Sequence, residues 1–278
     1  MKDMATSGSL AALLLFLIVL CLYSSVQGDE TDAIIDKALK SSGIAGQVEM
    51  LGETVLSMMP ADALPSDRVK TNVTAAVKKA ANGKVVLTTL RASVKEDFDL
   101  EKMKQVAEFY DAKLGRKVGL LLRNALEARS VAQAREGRNT LTATDENRVA
   151  LLKRIIRADG VVELTAGLAD TVMRGLLDGS LGSSADRKDG AQEGLRPPEI
   201  RTGAWENHIE DQALVSFALT LRSLDARELE QLATFCESDA AGWFRNAVRK
   251  GVEKAVYQAA RALSEAATDP ARPASPAN

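Results

Sequence analysis

The stretch Leu100-Glu-Lys-Met-Lys-Gln-Val-Ala-Glu-Phe-Tyr-Asp-Ala-Lys-Leu-Gly-Arg-Lys-Val-Gly-Leu-Leu-Leu-Arg-Asn-Ala125 carries apolar side chains at Leu100, Met103, Val106, Phe109 and Tyr110. A second set falls at Leu114, Val118, Leu122 and Ala125. Steps of three and four residues put each set on one face of an α-helix. Two helices therefore meet around Gly115. A residue without Cβ there permits a left-handed backbone or a close helix crossing.

The same periodicity extends outward. Ile35, Ala38 and Leu39 share one face of a helix that stops near Gly43. Val48, Leu51, Val55 and Met58 line the next, ended by Pro60. Helices are expected over about 66–81 and 84–95, with Gly83 as a left-handed cap between them. Val85-Val86-Leu87-Thr88-Thr89-Leu90 follows Asn82-Gly83 and has strand-forming residues, but Val86, Leu90 and Val94 keep helical spacing. The helix after Gly115 is expected to run toward Gly137. Thr144-Asp145 can cap a helix with Val149, Leu152, Ile155 and Ile156 inward, and further helices fall near 161–178, 205–223, 226–238 and 240–265. None of the seven prolines lies within 66–196 or 199–269. Since proline in a helix interior costs about 3 kcal/mol, these spans suit an all-α helical bundle.

At the amino terminus, Lys2 precedes an apolar run from Leu10 to Tyr23, followed by Val26-Gln27-Gly28. The run is shorter than the ~20 residues that span a bilayer, and short residues precede Asp29, the pattern of a cleaved export signal. Residues 1–28 are read as a signal peptide cleaved after Gly28, which leaves no transmembrane helix. An uncleaved anchor is the alternative. Bulky Leu20 before Cys21 argues against lipidation. Cleavage leaves Cys236 as a single thiol, expected to be a small buried apolar group. The formal charge of −2 lacks the basic excess used to neutralise phosphates, so nucleic acid is not an expected partner.

The two halves of the chain resemble each other. Ile35–Ile44 lies over Leu152–Val161 at an offset of 117 residues, with Gly43 on Gly160. Val106–Tyr110 lies over Leu232–Cys236 at an offset of 126, with Phe109 on Phe235, Gly115 on Ala241 and Val118 on Phe244. Two pseudo-repeated halves follow, at 29–138 and 142–265. The second contains a Gly-, Ser- and charge-rich linker over 180–203, and 268–278 is a frayed tail.

Phe109-Tyr110-Asp-Ala-Lys-Leu-Gly115-Arg-Lys117, with Leu100-Glu-Lys-Met103 leading into it, resembles the bacterial exported family called domain of unknown function 2059. Lys113 stands where that family often has proline. Phe235-Cys-Glu-Ser-Asp-Ala-Ala-Gly-Trp243-Phe244 is similar to its Phe-x-x-Ser-Pro-x-Gly-x-Trp-Phe form, with Asp239 for the proline and Ala241 for the glycine. The resemblance implies an exported all-helical protein and no reaction.

Five of the nine aromatics after residue 28, namely Phe109, Tyr110, Phe235, Trp243 and Phe244, lie in these two motifs. They are read as a lock at paired helix junctions; the alternative is an aromatic ligand pocket rimmed by Arg116 and Lys117. No catalytic residue, metal site or cofactor is assigned. His208, the single histidine, stands with Glu206, Glu210 and Asp211 at a helix start, short of the Cys and His ligands zinc uses. Gly179-Ser180-Leu181-Gly182 has the wrong spacing for a nucleophile elbow. Asn72-Val73-Thr74 accepts a glycan only in a eukaryotic secretory route. Arg245, Arg249 and Lys254 are expected on a solvated helix face, with an anionic envelope surface as the alternative. The expected role is a non-catalytic binding or interaction module of the periplasm or secreted space, with an envelope protein or lipid as partner. A carrier of an apolar or lipid ligand in an interhelical cavity and a carboxylate hydrolase are the rivals.

Overall fold

The computed structural model describes residues 30–49, 52, 56, 66–127, 131–142, 144–181 and 203–268. The expected signal peptide, Leu51, Val55 and Met58, most of the 180–203 linker and the tail after Thr268 lie outside these residues. Among the described residues every regular element is a helix. They are α1 (30–41), α2 (Ile44–Glu49), α3 (Asp67–Ala80), α4 (Gly83–Glu96), α5 (Leu100–Asp111) and α6 (Lys113–Glu127). They continue with α7 (Val131–Thr142), α8 (Glu146–Asp159), α9 (Val161–Leu181), α10 (Gly203–Thr220), α11 (Ala226–Cys236) and α12 (Asp239–Thr268). The fold is all-α.

Side-chain caps fix where several of these helices begin. Ser66, Asn82, Asp99, Asp145 and Asp225 each accept a hydrogen bond from a backbone N–H of the first turn that follows. Those donors have no intrahelical partner, so each cap removes a desolvation penalty and holds the chain at its turn. Asp225 forms a full capping box with Glu228. The left-handed cap expected at Gly83 is absent: α3 ends at its C-cap Ala81, whose N–H donates to the Val77 carbonyl, and Asn82 caps the start of α4. Gly83 is the first residue of α4 and has no positive φ; its small size lets Glu49 of α2 approach, since a Cβ would lie 3.2 Å from the Glu49 Cα. Gly137 belongs to α7, a helix separate from α6, and faces Val215 of α10. α7 also straddles the expected 138–142 boundary.

The buried clusters combine residues far apart in sequence. The first joins Ile35 and Leu39 of α1, Val86 and Leu90 of α4, and Met103 and Val106 of α5 to Phe244, Ala247 and Ala255 of α12. A second joins Leu152, Ile155 and Ile156 of α8, Leu214 of α10, and Leu229 and Leu232 of α11 to Val118 of α6. The third sets Val69, Val73 and Val77 of α3 against Ala259 of α12. The helix following each Phe motif thus completes the core built by the other half of the chain. α12, about 45 Å long at 1.5 Å per residue, is the spine against which α3, α4, α5 and α9 pack.

Close approach between α9 and α12 depends on missing side chains. A Cβ on Gly175 would lie 2.8 Å from both the Ala260 Cβ and the Tyr257 carbonyl oxygen, and one on Gly179 would lie 2.5 Å from the Arg261 carbonyl oxygen. Gly203 at the start of α10 has nothing within 4 Å. Gly175→Val should therefore lower the urea-unfolding free energy by about 1–3 kcal/mol through overpacking, while Gly203→Ala leaves it within about 0.5 kcal/mol.

Candidate functional site

Two features lie between the halves of the chain: an aromatic joint and a cleft beside it. At the joint, the rings of Phe109 and Phe235 stack face to face, with centroids 3.6 Å apart and planes 3° from parallel. Tyr110 sits edge-on to both, at 5.2 and 5.7 Å. Phe235 packs against the first two clusters at once, while Phe109 packs on the second and Tyr110 on the first. The two phenylalanines placed in register by the sequence are therefore each other's partners. Both are half-buried. Phe244 is buried, and Trp243 is half-buried with its ring edge toward Phe98.

Polar contacts around the joint recur at matching positions. Lys117 Nζ donates to the Ser223 carbonyl at 3.0 Å, and Trp243 Nε1 donates to the Asp97 carbonyl at 2.9 Å. Lys117 and Trp243 are separated by 126 residues, as are Asp97 and Ser223. Caps Asp99 and Asp225 stand at the same separation. Lys37 pairs with Asp111, and Arg154 pairs with Glu237 at 2.7 Å, each tying a helix before a left-handed glycine to the end of a Phe-motif helix. Those glycines, Gly43 at φ 83° and Gly160 at φ 62°, are the positive-φ residues of the described chain.

At these glycines the correspondence breaks. A Cβ on Gly43 would lie 2.6 Å from the Gly119 carbonyl oxygen, and Gly119 in turn abuts the Ser41 carbonyl, so α6 lies directly on the turn between α1 and α2. Arg245 stands 126 residues after Gly119. A Cβ on Gly160 would meet nothing nearer than the Glu163 Oε2 at 3.6 Å. A long cationic side chain replaces a backbone contact, and the helices stand apart. The resulting cleft, about 1110 Å³, opens among α2, α6, the α8–α9 turn, α10 and α12.

Its wall mixes apolar and charged groups. Leu121, Leu122, Val248 and Val252 line it together with Tyr110, Asp159, Arg245 and Arg249. Arg245 donates to the Cys236 carbonyl at 2.7 Å and stands 3.9 Å from Asp159. Arg249 Nε is buried with no hydrogen-bond partner. Leaving such a donor unmet costs about 1–3 kcal/mol. Burial raises the Asp159 carboxyl above its ordinary 3.8, against the pull of Arg245. Burial likewise raises the Tyr110 hydroxyl and the Cys236 thiol. Cys236 is thus a buried neutral thiol, as its sequence context suggested.

This arrangement corrects the reading of the basic stripe. Arg245 and Arg249 line the cleft, while Lys254 pairs with Glu96 at 2.5 Å and the neighbouring Lys250 with Asp97 at 2.7 Å. Gly115 has no positive φ; a Cβ there would fall on the Phe109 carbonyl oxygen, so close crossing is its role. Lys117, expected at a pocket rim, is engaged by Glu228 at 2.7 Å. Arg116 does not line the cleft. His208 is exposed in the first half of α10, and no group of three or more His, Cys, Asp or Glu among the described residues is placed to hold a metal. Asp159 was the residue that sequence reasoning missed: its signal is a carboxylate directly before the left-handed Gly160.

Two measurements probe this geometry. A double-mutant cycle of Phe109→Ala and Phe235→Ala should give a coupling of about 1 kcal/mol in urea unfolding, the size expected for a stacked pair; additive losses would deny the contact. Asp159 binds its proton more tightly in the folded chain than in the unfolded one. Its effect on stability is therefore absent below pH 3.8 and grows increasingly unfavourable as pH rises through the raised folded value. Asp159→Asn should accordingly be more stable than the parent at neutral pH, with the gap closing on acidification. Comparisons with known proteins find no matching family model, no matching curated protein and no matching solved structure.

Proposed function

We propose that this chain is a non-catalytic, exported binding protein that takes a small ligand into the cleft between its halves. The observation that carries this reading is the cleft itself. At about 1110 Å³ it has room for a small-molecule ligand, and it combines an apolar wall with a few placed polar groups, as ligand sites generally do. Of the roles set out from the sequence, the interhelical carrier is the one this geometry favours.

Export is part of the same proposal and rests on the pattern of residues 1–28. So is membership of the family that the Phe-Tyr-x4-Gly motif resembles. No helix among the described residues is long and apolar enough to cross a membrane. We further propose that the halves derive from one duplicated helical unit. The face-to-face Phe109–Phe235 pair and the exchanged contacts of Lys117 and Trp243 support it, since a two-fold axis brings a residue onto its own copy and repeats every other contact reciprocally.

The cleft is tested with a neutral, environment-sensitive dye. Nile red should bind the full chain with a blue shift, and Val248→Trp, which narrows the cleft, should weaken binding while leaving the circular dichroism spectrum unchanged. Absence of binding by the parent chain, or binding untouched in Val248→Trp, would overturn the reading. Export is checked by N-terminal sequencing of the mature protein from the producing cell, which should begin at Asp29.

A further inference from the structure

Resting on the cleft as the binding site, we propose that its ligand is an amphipathic monoanion, a single carboxylate head on an acyl-length apolar chain, with Arg249 as the residue that receives the head. α12 presents Arg245, Val248, Arg249 and Val252 to the cleft at spacings of three and four, one face of one helix. Two cations and two apolar side chains therefore lie side by side on a rigid element.

The cations are not equivalent. Arg245 is occupied: it holds the Cys236 carbonyl at 2.7 Å and faces Asp159 at 3.9 Å. Arg249 has a buried Nε that no acceptor reaches. A guanidinium offers five donors in a planar fork; the Nε is covered by protein, and the part of Arg249 that lines the cleft presents the positive charge and remaining donors to an incoming carboxylate. Val248 and Val252 line the cleft from the same helix, and Leu121, Leu122 and Leu164 line it from α6 and α9. They form an apolar surface for the chain of the ligand.

Surrounding acids set the charge of the head. Asp159, Glu163 and Glu136 line the cleft, and Glu136 is taken up by an ion pair with Arg222, which lines it too. Asp159 offsets Arg245, and Glu163 folds back over the start of α9, where the helix dipole favours an acid. One guanidinium is left uncompensated. It matches one negative charge, while a second charge would face the carboxylates of the cleft. A carboxylate is therefore favoured over a phosphomonoester dianion.

The test displaces Nile red from the full chain with dodecyl ligands below their micellar concentrations. Laurate should displace at a concentration at least about tenfold lower than dodecanol, the factor expected from one charge-assisted hydrogen-bonded pair, and lower than dodecyl phosphate above its second ionisation. Arg249→Met should bring laurate to within about twofold of dodecanol while Nile red binding persists, and Arg249→Gln should do the same should the first variant fold poorly. Dodecanol or dodecylammonium displacing as well as laurate would overturn the proposal, as would a laurate preference that survives both substitutions. Equal or tighter displacement by dodecyl phosphate would overturn the monoanion assignment. All of these outcomes leave Nile red binding by the parent chain intact, so they are distinguishable from failure of the cleft itself.

Discussion

Two stacked rings at the middle of the molecule set the geometry of everything around them. Phe109 ends one helix and Phe235 ends another, and their faces meet at 3.6 Å. Each ring is followed within a few residues by a new helix, so stacking them fixes where α6 and α12 depart. α6 then carries Val118 into the core of the second half, and α12 carries Phe244 into the core of the first. An apolar contact between two rings amounts to a few kcal/mol. Its structural reach is larger, because two hydrophobic cores are complete only when both departing helices point across the joint.

The local structure was legible in the sequence, and particular residues show why. Val106, Val118, Leu152 and Ile155 were placed inward by helical spacing and are buried. Asp145 was read as a helix start and Gly43 as a helix stop, and they are a side-chain cap and a left-handed glycine. These features depend on a few neighbouring residues, and the physics that governs them is equally local. Gly83 shows the limit of that reading. A glycine after a helix suggests a left-handed cap, yet α3 ends at Ala81 without one, Asn82 starts α4 from its side chain, and Gly83 lets Glu49 approach.

The site was less legible. Periodicity says which face of a helix is apolar, but not which helix covers it, so nothing in the spacing of Val118 or Phe244 announced that they would cross to the opposite core. Polar residues are more ambiguous still. Arg245 and Arg249 read as a solvated stripe because charge at those positions is consistent with either bulk water or a cleft wall. What distinguishes them is the space beside them: Gly43 and Gly119 bring two backbones into contact, whereas a Cβ on Gly160 would meet nothing nearer than 3.6 Å. A single position at which backbone can or cannot touch backbone separates a sealed turn from an open one.

Finally, α12 is the last regular element of the described chain, and the first core depends on it. Its partners begin more than two hundred residues earlier, at Ile35 and Leu39. Most of the closing contacts of that core are therefore non-local, and loop-closure entropy must be overcome before they are rewarded. A nascent chain lacking residues 239–268 would expose the inward faces of α1, α4 and α5 to solvent. The core of the amino-terminal half is thereby completed only once α12 has been made, and until then its apolar faces are open to non-native contacts.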